Sequence, residues 1–87
     1  MQVGGRTPIA RMNEGTFYLY GTSRLVRIGR KVFSSSTKVW TEWVDGRGHY
    51  MREAFDTAYI AQAVALTDEE KREFEIKLET AKVLGDL

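Results

Sequence analysis

The stretch from Lys38 to Ala65 constrains this chain most, because it reads as strand, tight turn, strand and then helix. Lys38 to Val44 is dense in β-branched and aromatic residues, which suit a pleated, half-buried surface. Asp45-Gly46-Arg47-Gly48 supplies the short side chain and the glycines of a hairpin turn, and a second run, His49 to Phe55, doubles back. At Phe55-Asp56-Thr57 the Asp56 carboxylate suits the free N–H groups of a first helical turn, and Ile60, Ala63 and Val64 recur at helical spacing, which predicts a helix over Thr57 to Leu66. An earlier helix start, at His49 or Tyr50, also fits the residue types and would lengthen it to about five turns. Alternation along the first strand assigns Val39, Thr41 and Trp43 to the core and Lys38, Trp40 and Glu42 to the outer face; in the second run, Met51 and Phe55 mark the core side.

Upstream, residues 1–15 hold three glycines and the only proline, Pro8, and read as a flexible arm from which Ile9, Ala10 and Met12 can tuck inward. Phe17 to Tyr20 is a short strand closed by Gly21-Thr22-Ser23. Arg24 to Ile28 is the next, with Gly29-Arg30 as a turn or bulge before Lys31-Val32-Phe33; one bent strand and two short ones both fit. Downstream, Thr67-Asp68-Glu69-Glu70 has the form of a capping box, starting a second helix at Asp68 with Phe74, Leu78 and Ala81 on one face and Gly85 as its stop. The expected architecture is α+β: an antiparallel β-meander of three to five strands followed by two C-terminal helices packed on one sheet face, with residues 16–87 forming a single small domain.

Composition narrows the function classes. An 87-residue chain without cysteine has no disulfide framework, no thiolate metal site and no cysteine nucleophile. No apolar run approaches the roughly 20 residues that cross a bilayer, and the N-terminus has no apolar signal core, so a cytoplasmic protein without membrane partners is expected. The net charge of +1 conceals a division. Through Phe55 there are nine Lys/Arg and four Asp/Glu, a balance of +5; from Asp56 onward there are four and eight, a balance of −4. Such asymmetry suits a basic half that meets an anionic surface, or two halves that neutralise each other across the fold.

Catalytic inventory is thin. His49 is the only histidine, the hydroxyl run Ser34 to Thr37 has no triad spacing, Gly46-Arg47-Gly48 lacks the spacing of a phosphate loop, and the acids Glu69, Glu70, Glu73 and Glu75 decorate a helix surface. No catalytic, metal or cofactor residue is expected, and the protein reads as a non-enzyme. Binding chemistry is denser: Arg24, Arg27, Arg30, Lys31, Lys38, Arg47 and Arg52, interleaved with Tyr18, Tyr20, Trp40 and Tyr50, combine arginine with aromatics in the manner of interface hot spots and nucleic-acid surfaces. Of these, Arg24, Arg27, Arg30, Lys31, Lys38, Trp40, Arg47 and Tyr20 are the expected partner-binding set. The partner classes are a protein or nucleoprotein complex, a nucleic acid, or a second copy of the chain in a homodimer.

Two resemblances follow, covering roughly Leu25 to Leu84. The meander that ends in Phe55-Asp56-Thr57 and a helix resembles the three-stranded-sheet DNA-binding modules of plant AP2 factors and integrase arm domains, which implies Arg24, Arg27, Lys38, Trp40 and Arg47 over a major groove. The same order, with Asp45-Gly46-Arg47 as the turn, is similar to small phage anti-CRISPR proteins, which implies an inhibitor or adaptor acting in a host cytoplasm. The balance of only +1 and the acidic last helix place the inhibitor or adaptor reading first and the duplex-DNA module second.

Overall fold

The computed structural model describes residues 2–22 and 25–85. Six antiparallel strands form one sheet: β1 (Gln2–Pro8), β2 (Phe17–Thr22), β3 (Leu25–Ser34), β4 (Lys38–Val44), β5 (Tyr50–Asp56) and β6 (Ile60–Ala65), in the order β1-β6-β2-β3-β4-β5. One helix follows, α1 (Asp68–Gly85). The α+β class holds, with six strands rather than three to five and one helix among the described residues rather than two.

The helix expected over Thr57 to Leu66 is instead a turn followed by β6. Its small apolar residues also alternate, and pairing on both sides decides between the periods: Val64 lies opposite Val3 of β1 and opposite Phe17 of β2. Nor does a helix start at Tyr50, since Tyr50 to Asp56 pairs residue by residue with β4. The segment expected as a flexible arm contributes β1, paired with β6, and a 3-10 turn at Ile9–Arg11 that buries Ile9 completely and Met12 nearly so.

Strand order forces the sheet to curl. In a flat sheet β5 and β6 would lie four strand spacings apart, about 19 Å, yet Asp56 and Ile60 are separated by four peptide units that reach at most about 14 Å. Rings from opposite sides of the sheet accordingly meet inside the curl. Tyr20 of β2 lies 5.1 Å from Phe55 of β5, and Phe55 stacks on Tyr59 at 4.7 Å. With Ile9, Met12, Tyr18, Val39 and Ala61 these rings form the inner core. The Tyr18 ring lies flat over Gly29, where an added Cβ would stand 2.7 Å from it, so the strand needs a glycine there.

The outer face is covered by α1. Phe17 meets Phe74 edge-on at 5.4 Å, and Leu78 and Ala81 are buried beneath the helix. The capping box forms as its spacing predicts: the Thr67 hydroxyl accepts from the Glu70 N–H at 3.1 Å, and the Glu70 carboxylate accepts from the Thr67 N–H at 3.0 Å. The hairpin also forms at Asp45–Gly48. Asp45 accepts from the N–H groups of Arg47 and His49, and Gly48 takes φ +82°, a conformation favouring glycine.

Candidate functional site

Alternation and one bulge decide where the basic and aromatic side chains go. Register runs Tyr20↔Arg27 and Tyr18↔Gly29 between β2 and β3, and Arg30↔Glu42 and Lys31↔Thr41 between β3 and β4. Arg27 and Lys31 therefore face the inside of the curl and Arg30 faces α1. Between Lys31 and Phe33 the register slips by one residue, so that Phe33 lies opposite Trp40. A slip of one residue moves a side chain to the other face. The irregularity expected at Gly29-Arg30 thus sits two residues later, and it turns Phe33 outward beside Trp40.

The outcome is an aromatic platform on the outer face, beyond the end of α1. Phe33 and Trp40 stack at 6.2 Å with their planes 25° apart, and the Arg52 guanidinium lies 6.0 Å from Phe33 and 5.8 Å from Trp40. Phe33 is 38% exposed and Trp40 half-buried. Lys38, two residues before Trp40 on the same face of β4, is exposed at the rim. A cleft of about 540 Å³, lined by Val32, Glu42, Tyr50, Arg52, Lys82 and Gly85, separates the platform from the end of the helix.

Most of the other expected cations are already engaged. Arg30 donates to Glu42 through Nε at 2.9 Å and through Nη2, and its Nη1 lies 4.0 Å from Glu75 of α1. Glu42, only 3% exposed, also accepts from the Tyr50 hydroxyl at 2.6 Å and lies 3.3 Å from Lys82. Burial alone would push the Glu42 carboxyl up; the Tyr50 hydroxyl, Arg30 and Lys82 outweigh it and hold the group below its ordinary value. Burial and the neighbouring Glu42 carboxylate push Tyr50 up to about 12.

Arg27 is sandwiched between Trp43, 3.3 Å from its ring centre, and Tyr20, at 4.1 Å, and it donates to Glu53 at 2.6 Å. Lys31, 3% exposed, is buried and donates to the carbonyls of Ala10 (3.1 Å) and Met12, fastening the N-terminal segment. Tyr20 belongs to the inner aromatic cluster. Arg47 is exposed in the β4–β5 turn, away from the platform. Arg24 lies outside the described residues.

Of the eight expected contact residues, the fold therefore brings Lys38 and Trp40 together and adds Phe33 and Arg52. Arg52 could be found from sequence, where it stands among the basic residues of the sheet half, in a hairpin whose register sets it opposite Glu42. Phe33 could not, because its face depends on the bulge. No helix among the described residues is long and apolar enough to cross a membrane. No protein-family model, no curated protein and no solved structure matches the chain.

Proposed function

We propose that the protein is a small non-enzymatic binding module, an inhibitor or adaptor that docks on a protein or nucleoprotein complex through the Phe33–Trp40 platform with Arg52 and Lys38. The observation that carries this reading is the aromatic pair itself. A bulge turns Phe33 away from the core and leaves it exposed against Trp40, and stacked aromatics beside an arginine are the side chains that dominate interface energetics. Asp56, opposite Lys38 on the neighbouring strand, tempers the local charge, which suits a mixed protein surface better than a bare phosphate backbone.

The duplex-DNA reading has less support. It calls for Arg27, Lys38 and Trp40 on one surface, and Arg27 lies inside the curl. The test is paired. Capture of a defined complex by the wild-type protein, lost with Trp40→Ala while the melting curve stays nearly unchanged, supports the platform. Binding to a mixed-sequence duplex that weakens steeply between low and moderate salt, with Trp40→Ala still competent, overturns it.

A further inference from the structure

The two edges of the sheet differ. β1, at one edge, slips register between Val3 and Arg6 across Gly4-Gly5 and ends in Pro8, devices that blunt an edge against further pairing. β5, at the other edge, is regular over all seven residues, contains neither glycine nor proline, and among the described residues pairs only with β4. Its free hydrogen-bonding groups follow from the hairpin. Asp45 N–H donates to the His49 carbonyl at 3.0 Å, so the ladder pairs below it are Trp43 with Met51, Thr41 with Glu53 and Val39 with Phe55. By the alternation of antiparallel pairs, Tyr50, Arg52, Ala54 and Asp56 turn their N–H and C=O groups away from β4, and of these the Asp56 carbonyl is already engaged, accepting from the Tyr59 N–H at 3.0 Å.

We propose that β5 pairs with β5 of a second copy, antiparallel and about a two-fold axis at Ala54, joining the two sheets edge to edge. Charge selects the occupant and the register. An axis at Arg52 or at Glu53 would set a like charge directly against itself, whereas an axis at Ala54 sets Ala54 against Ala54 and Arg52 against Asp56 of the second copy, twice by symmetry. In that register the outward-facing groups of Ala54 meet those of its counterpart as a hydrogen-bonded pair, and each Asp56 N–H meets the Arg52 carbonyl of the second copy. Asp56 keeps its local role through Oδ1, which accepts from the Ala58 N–H at 2.9 Å, and has a second oxygen for the arginine.

Light scattering or sedimentation over a concentration series up to about 1 mM tests this. The wild-type chain should pass from its monomer mass of 10.0 kDa to twice that value. Ala54→Pro removes an N–H that β4 does not use and should hold the chain monomeric with its circular dichroism retained. Arg52→Glu should weaken association at least about tenfold, and Arg52→Glu with Asp56→Lys should restore it. Trp40→Ala should leave the dimer intact, which separates this result from the platform reading. A wild-type protein that stays monomeric throughout the series, or a folded Ala54→Pro that still dimerises, overturns the proposal. Should Ala54→Pro fail to fold, unchanged association of Arg52→Glu overturns it equally.

Discussion

The two faces of this sheet bury charge in opposite ways. On the outer face Glu42 is enclosed by α1 and β5, and its two oxygens serve Arg30, Tyr50 and Lys82. On the inner face Arg27 has Glu53 on one nitrogen and rings on two sides, but its Nε and the Trp43 Nε1 are buried without a hydrogen-bond partner among the described residues, and the buried Tyr18 hydroxyl has only Thr41 beside it. A satisfied buried network fastens one element to another, while donors that lose water and gain no acceptor cost free energy. The outer network holds the helix on the sheet. The inner one is retained at a cost, and stacking and aromatic packing offset it.

The largest expected effect tests the outer face. Glu42→Ala removes the acceptor shared by Arg30, Tyr50 and Lys82 and should cost about 2–3 kcal/mol by urea unfolding, since Arg30 and Lys82 keep some solvent and the carboxylates Glu75 and Glu79 nearby. Arg27→Met, which removes an incompletely satisfied donor while keeping bulk under the rings, should cost clearly less; equal losses would break the comparison. Next is the inner face at Gly29. Gly29→Ala drives a methyl into the Tyr18 ring and should cost about 1–3 kcal/mol, and Tyr18→Leu in the same chain should recover part of that loss, a coupling readable in a double-mutant cycle.

Protonation sharpens the contrast further. Glu42 has a folded value below its unfolded one, so its stabilisation is present above the ordinary carboxylate range and disappears as pH falls through the lowered folded value. Glu42→Gln should therefore flatten the acid limb of a stability-versus-pH curve. Tyr18, buried, is pushed up to about 12, and Tyr50 likewise. Their folded forms hold the proton more tightly than the unfolded chain, so stability should decline as pH rises from about 10 toward 12, and less so in Tyr18→Phe. At neutral pH Tyr18→Phe is the smallest effect, within about 1 kcal/mol, because the buried hydroxyl it removes has only a weak contact with Thr41. A loss well beyond that would mean the inner face is satisfied after all.

Much of the architecture was legible locally. The strand–turn–strand unit, its Asp45 and Gly48 chemistry, the Val39 and Thr41 core face and the capped start of α1 all follow from residue type at short range, where period and turn geometry are decided by neighbours a few positions away. Thr57 to Leu66 was not. Ala61, Ala63 and Ala65 have good helix propensity, and Ile60, Ala63 and Val64 fit a helical stripe as well as an alternating one; β1 and β2, distant in sequence, supply the ladders that make it a strand. The candidate site was legible in part for the same reason. Lys38 and Trp40 share a face by alternation within one strand, while Phe33 joins them only through a slip in pairing that no local pattern marks.

By itself, then, the chain's order of residues determined which segments alternate, where the hairpin turns, where the last helix starts, and that basic and aromatic side chains concentrate before Asp56. Tertiary structure decided what those side chains do. Three residues between β5 and β6 compel the sheet to curl, and the curl gives each strand an inside and an outside. Arg27 and Lys31 are drawn in, Arg30 is neutralised beneath the helix, and Trp40, Phe33 and Arg52 are left on the outside. The physical reason is range: backbone conformation and capping respond to adjacent residues, but burial and ion pairing depend on which distant strand lies opposite.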